Sequence, residues 1–440
     1  MKQNRELLRD KITMDSEISE LRELFSNIED KRGSNKQHEL SDILMSAYSL
    51  FSLKYPSLLN FEQQNTIEKD NLKKIYGIKK NCSDAQMRKV LDEINPDFIR
   101  KYFSKKVNFL EKSGFLSEYA YKIGTKKYLI VSSDGVQHFS SKKNCCDKCL
   151  KKKHRNGTVT YHHNMLCAAL VHPNKREVFV LDAEPILNKD GNTKNDCERN
   201  AVKRLLSNME KEYENQIEKY NFVMVEDALY ANEAHLKDLK EKGFDYITNI
   251  KAKSHKTLFR QFESRQKTKQ THKYQQIIGD IHHSFEYVNN LVLINNGEVN
   301  VNFLRYSQTN KKGKTTTFNW LTNLKINKKN VCQIMRAGRS RWKIENETFN
   351  TLKNLGYHFE HNYGHGKDHL STLFAFLMLL AFMIDQIIQV SYPIFRLIEK
   401  NIRTKIKLWE SIKAIFHTLT CSSMEFIYHK VATLFAMQIE

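Results

Sequence analysis

Tyr128-Leu129-Ile130-Val131-Ser132-Ser133-Asp134-Gly135 is a short apolar run that ends on an acid and a glycine. Its β-branched and aromatic residues suit a pleated surface, so it predicts a strand that delivers Asp134 to its carboxyl end. A second run of the same design, Phe222-Val223-Met224-Val225-Glu226-Asp227, also finishes on an acid. Between them, Tyr161 to Val171 and Glu177 to Asp182 flank the turn-forming His172-Pro173-Asn174-Lys175 and predict a hairpin. A helix follows, capped by Asn195 or Asp196, with Val202, Leu205, Leu206, Met209, Tyr213 and Ile217 on its apolar face. After Asp227 come a helix around Ala234 to Leu239 and a strand from Tyr246 to Ile250. Three strands, a helix, a strand, a helix and a strand define an α/β sheet. Functional groups in such sheets gather at the carboxyl ends of neighbouring strands.

A third acid lies much further on, in the helix-patterned Arg341-Trp342-Lys343-Ile344-Glu345. Arg341 and Glu345 are four apart and share a helical face, which aims a guanidinium and a carboxylate at one place. Taken singly, each acid reads more readily as a solvated strand end or an exposed helical salt bridge. Together, Asp134, Asp227 and Glu345 form the carboxylate set of a two-metal phosphoryl-transfer site. Mg²⁺ (or Mn²⁺) prefers such hard oxygen ligands, and two ions clamp the attacking and leaving oxygens of an in-line displacement. Two rivals exist. Glu226 adjoins Asp227, and adjacent strand residues face opposite sides, so only one reaches the site. Glu347 lies two residues from Glu345 and points elsewhere on a helix.

The 440 residues hold 71 Lys and Arg against 50 Asp and Glu, a formal net charge of +21. That excess favours a polyanionic partner, nucleic acid before a membrane surface. The polar opening Met1-Lys2-Gln3-Asn4-Arg5-Glu6 has no targeting pattern, and the expected location is the cytoplasm. Leu370 to Val390 is long and apolar enough to span a bilayer, but Asp385, Gln386 and Gln389 argue for a buried core helix.

Residues 1–115 are expected to form a helical domain with a DNA-binding or a plain packing role. His38 to Leu59 carries helical apolar spacing until Pro56, and Asp84 to Phe103 does so around Pro96. Residues 116–251 and 330–365 are expected to form the catalytic domain, and 252–329 a β-rich insertion, where the helix pattern fails. Its strands are read as Phe285 to Ile294, Val299 to Tyr306 and Thr315 to Leu324. Residues 366–440 complete the chain as a helical region.

The order of strands and helices resembles the ribonuclease H-like fold. The Arg341 to Glu345 segment, followed by Phe349, Leu352 and Lys353, resembles the glutamate motif of bacterial insertion-sequence DDE transposases that carry a β-strand insertion before the glutamate. The resemblance runs from about Tyr128 to Lys353. It implies a Mg²⁺-dependent enzyme that cleaves the ends of its own element and joins them to new DNA, as a homodimer on that DNA. By motif it favours Asp227 over Glu226 and gives Lys353 a hold on the DNA backbone. Two positions depart from the pattern. Gly338 stands where a tyrosine often precedes the arginine, and Lys353 follows Glu345 after seven residues rather than six, so a hairpin mechanism does not carry over.

Cys146-Asp147-Lys148-Cys149 has zinc-ligand spacing, and His154 and His162 are candidates to complete a tetrahedron, with His163 and Cys167 nearby. The alternative is a basic loop touching phosphates, with incidental thiols. Trp320 is a candidate for stacking on an unpaired base at an element end, against the plainer reading of a core tryptophan. His358, His361 and His365 follow no ligand spacing and read as surface or packing residues. Two other functions compete with transposition: a nuclease or resolvase on the same fold, and a zinc-containing DNA-binding regulator without catalysis.

Overall fold

The structure, a computed structural model, describes residues 12–188 and 197–435. The Asn195 and Asp196 caps and the Met1 to Glu6 opening lie outside the described residues. Among the described residues, six helices come first: α1 (Met14–Ser26), α2 (Leu40–Ser52), α3 (Leu58–Tyr76), α4 (Asp84–Leu91), α5 (Asp97–Lys112) and α6 (Phe115–Tyr119). Thr13, Ser57 and Ser83 cap α1, α3 and α4 by accepting a hydrogen bond from a backbone N–H of the first turn.

The sheet then begins with β1 (Tyr121–Ile123), β2 (Lys126–Ser141), β3 (Leu150–Lys153), β4 (Val159–Val171) and β5 (Phe179–Ile186). Next come α7 (Glu198–Glu212), α8 (Glu214–Tyr220), β6 (Phe222–Glu226), α9 (Glu233–Glu241) and β7 (Asp245–Asn249). β5, β4, β2, β6 and β7 lie side by side. β5, β4 and β2 pair antiparallel, while β2, β6 and β7 run parallel. That is the ribonuclease H-like arrangement, with β2 at its centre.

The insertion contains α10 (Lys256–Lys267), β8 (His272–Ile278), β9 (Ile281–Val292), β10 (Asn300–Thr309) and β11 (Thr315–Thr322). It does not form a separate sheet. β11 pairs with β7, so its four strands extend the same sheet to eleven. Two of its elements escape the sequence reading. The Lys- and Gln-rich stretch after Lys251 forms α10, whose Phe259 and Phe262 pack on Phe303, at ring distances of 5.2 and 4.1 Å. The exposed β8 forms because β9 supplies its ladder, not because its sequence alternates.

The chain continues with α11 (Val331–Arg339), a 3₁₀ turn (Ser340–Trp342), a π-helical turn (Ile344–Phe349) and α12 (Asn350–Asn354). It closes with α13 (Leu370–Ser391), α14 (Pro393–Asn401), α15 (Lys405–Thr418) and α16 (Met424–Leu434). α13 is apolar enough to cross a membrane but is a core helix here, with 89 % of its most apolar window buried. Its polar residues have internal partners, as buried polar groups require. Asp385 pairs with Lys54 at 2.7 Å and accepts from Tyr357, and Gln386 accepts from the Val178 N–H at 3.2 Å. Helices from the two chain ends interleave around it. Asn71 donates to the Phe416 carbonyl at 2.6 Å, and Asp15 caps α16 through the Met424 N–H at 2.7 Å.

Candidate active site

β2 and β6 set the position of the two aspartates. Their parallel register ends at Ser132 opposite Val225, so two residues further on Asp134 and Asp227 stand level, just past the end of β6. β2 does not stop at Asp134, as its apolar run suggests. It continues to Ser141 because β4 keeps pairing with it on the other side, with Cys167 opposite Asp134. Asp227 opens a turn by accepting the Leu229 N–H at 2.8 Å. Glu226 faces the opposite way, fully buried. It accepts from Ser133 Oγ at 3.0 Å and lies 2.8 Å from His235 Nε2. Burial pushes the His235 imidazole down, but the Glu226 charge outweighs it and holds the ring above its usual range.

Glu345 arrives from the far end of the sequence. α11 lays Val331, Ile334, Met335 and Ala337 against the sheet. It comes closest at Gly338, where an added Cβ would stand 2.8 Å from Trp320 Nε1 and 3.0 Å from Ile247 Cγ2. There is no room for any side chain there, which accounts for the missing tyrosine. The helix then changes pitch twice, to 3₁₀ through Arg341 and to a π turn through Glu345. Such turns are rare and recur at functional sites. Ser132 Oγ ties this bend to β2 by donating to the Arg341 carbonyl at 3.0 Å.

The guanidinium of Arg341 lies 2.6 Å from Glu345 Oε1 and 3.5 Å from Asp134 Oδ2. Burial pushes the Asp134 carboxyl up to about 7; Arg341 opposes the shift and the Glu345 charge adds to it. A fourth acid, Glu198 at the start of α7, was not identified from the sequence. Its carboxylate occupies the space a Cβ at Gly135 would take, and Tyr230 donates to it at 3.3 Å. Burial raises its pKa, and the charge of Asp227 adds to that. No sequence signal distinguishes Glu198 from an ordinary acid in a helix's first turn. The result is a cluster of carboxylates on four elements, three of them partly buried and Glu345 exposed, with Arg341 against two of them.

The other candidates lie elsewhere. Lys353 is ion-paired with Glu360 at 2.8 Å. Trp320 is 1 % exposed and stacks on Phe318 and Tyr306, so no base reaches it: the core reading holds, and the candidate DNA contact is withdrawn. The candidate zinc set also changes. His154 Nε2 bonds Thr160 Oγ1 at 2.7 Å, and His162 is not among the residues that converge. Cys146, Cys149, His163 and His365 bring their ligand atoms within 4.8 Å of one another. His163 replaces His162 because neighbouring strand residues point to opposite faces. His365, read from the sequence as surface or packing, belongs to the cluster.

A family model described as "Transposase DDE domain" matches residues 129–384. That match covers more than half of the chain, which therefore belongs to the family of transposase DDE domains. Among solved structures, the chain is similar to the piggyBac transposase in a synaptic complex with hairpin DNA. The identity is 10 %, the TM-score is 0.38, and the match covers 100 % of this chain and 86 % of that one. No curated protein sequence matches the chain.

Proposed function

We propose that the protein is the transposase of an insertion sequence, cleaving DNA at the ends of its element and joining the freed ends to target DNA. The carrying observation is that the Arg341 guanidinium meets Asp134 at 3.5 Å and Glu345 at 2.6 Å, with Asp227 level with Asp134 just past the end of the adjoining strand.

The donor set fits Mg²⁺. All the groups are carboxylates, the cluster gathers negative charge from four elements, and Asp134 is buried deeply enough to favour neutralisation by a cation. Asp134, Asp227 and Glu345 would hold the ions, which supply Lewis-acid stabilisation of the attacking and leaving oxygens when bound. The protein's own part is positioning. The rigid β2–β6 pair fixes two carboxylates, and the π turn presents the third beside Arg341. Arg341 is suited to bind a non-bridging phosphate oxygen and hold the scissile bond in line. No protein nucleophile is required: water attacks first, and the freed 3′-hydroxyl then attacks the target.

DNA as partner is supported by the family and by the net charge of +21. A homodimer engaging two element ends in the bacterial cytoplasm completes the reading. The test is a strand-joining assay on a labelled duplex carrying the terminal inverted repeat of the element that flanks the gene. The expected result is Mg²⁺-dependent nicking followed by labelled joint molecules. Nicking with no joint product would instead identify a nuclease on this fold.

A further inference from the structure

Away from the carboxylates, two thiols and two imidazoles converge from three parts of the chain. Cys146 and Cys149 lie on the loop between β2 and β3, His163 lies in β4, and His365 lies in the segment joining α12 to α13. We propose that these four residues bind a structural zinc ion that clamps the sheet to the segment following the Glu345 helix.

The distances carry the argument. Zinc bonds of 2.3 Å to sulfur and about 2.05 Å to nitrogen at tetrahedral angles place two sulfurs about 3.8 Å apart, and a sulfur and a nitrogen about 3.6 Å apart. The Sγ atoms of Cys146 and Cys149 are 3.8 Å apart. His163 Nε2 lies 3.4 Å from Cys146 Sγ and 3.2 Å from Cys149 Sγ, and His365 Nε2 lies 3.2 Å from Cys149 Sγ. A disulfide would need a sulfur separation near 2.05 Å, and both cysteines are free. Cys149 and His163 are buried, at 0 and 3 % exposure. Without an ion, these polar groups have little besides one another to bond. With it, two thiolates balance the charge of Zn²⁺ and all four ligands are satisfied. Softness points the same way: an S₂N₂ set suits zinc, whereas the all-oxygen carboxylate cluster suits Mg²⁺.

Four protein ligands leave no open position, so the ion does no chemistry. His163 pairs with Phe139 in the ladder, five residues beyond Asp134 on β2. A β-bulge between Gln137 and Phe139 absorbs one of those residues, so the separation is four residues on β4, from Cys167 opposite Asp134 to His163, and at ~3.3 Å per residue the ion stands roughly 13 Å along the strand from the carboxylates. Neighbouring contacts reinforce the clamp. Phe139 lies against His365, with ring centroids 4.4 Å apart, and Lys148 donates to the Asp368 carbonyl at 3.0 Å. The ion therefore anchors the chain between the Glu345 helix and the core helix α13.

The test is metal analysis of the full-length protein, purified under reducing conditions without chelator, followed by exchange to Co²⁺. About one zinc per chain is expected, and the Co²⁺ form should show tetrahedral d–d bands with thiolate-to-cobalt charge transfer. Cys149→Ser and His365→Ala should lose the metal, while His154→Ala and His162→Ala keep it. Where a ligand variant fails to fold, the cobalt spectrum of the wild-type protein still decides. The proposal is overturned by zinc below about a tenth of an equivalent with no thiolate band on adding Co²⁺. Retention of full zinc by folded Cys149→Ser and His365→Ala, or a Cys146–Cys149 disulfide in the reduced preparation, would overturn it as well.

Discussion

Asp134 concentrates the physics of the site in one residue. Burial and the nearby Glu345 charge raise its pKa to about 7, against the pull of Arg341. A raised carboxyl binds its proton below that value and must release it to take a cation, so in the proposed role as a metal ligand Asp134 would have protons compete with Mg²⁺. The Mg²⁺ concentration needed for half-maximal cleavage is therefore expected to rise as pH falls below about 7, approaching tenfold per pH unit, and to level off above it. Cleavage titrated with Mg²⁺ across that range measures this. A flat requirement would mean that Asp134 is not a ligand or is already ionised. Glu226 and Asp227 make a contrasting pair of neighbours: one is committed to His235 and Ser133 in the interior, while the other stands past the strand end in a turn, level with Asp134.

At the scale of elements, the decisive contact is α11 against the sheet. Gly338 rests on the Trp320 indole, and the 3₁₀ and π turns that carry Arg341 and Glu345 follow directly after this contact. Trp320→Ala would empty a fully buried site, for a loss of about 3–5 kcal/mol in stability. Denaturant unfolding should show that loss, with no selective defect in DNA binding by the protein that remains folded. A variant of wild-type stability that binds DNA poorly would restore the stacking role. The strands bearing Asp134 and Asp227 were legible because buried strands are apolar runs closed by an acid. The Arg341–Glu345 pair was legible because it needs only helical spacing. α10 and β8 were not, since packing on Phe303 and a ladder from β9 decide them rather than local pattern. Nor were Glu198 and His365, whose significance depends on which distant residues they face.

Across the whole molecule, two chemistries are kept apart along the length of β2: hard carboxylates gathered around Asp134 near its middle, and thiols with imidazoles gathered near its far end, level with Phe139. Around both lies a basic protein of net charge +21. DNA binding should therefore release condensed counterions and weaken steeply with salt, by about a thousandfold between roughly 50 and 200 mM if six or more phosphates are neutralised. Affinity measured across that range, with a linear fall on logarithmic axes, is the check. Affinity indifferent to salt would contradict a phosphate-dominated interface.

The claim that Asp134, Asp227 and Glu345 act as one metal-binding set is tested most directly by comparing Glu345→Gln with Glu347→Gln in Mg²⁺-dependent cleavage of an element end. The two positions share a helical turn, carry the same charge change and are each partly exposed. Only Glu345 meets the guanidinium that also touches Asp134. With both proteins folded and binding DNA equally, Glu345→Gln is expected to lose about a thousandfold or more in cleavage rate, and Glu347→Gln to stay within roughly threefold of wild type. The opposite ranking, or equal activity in the two variants, would contradict the assignment.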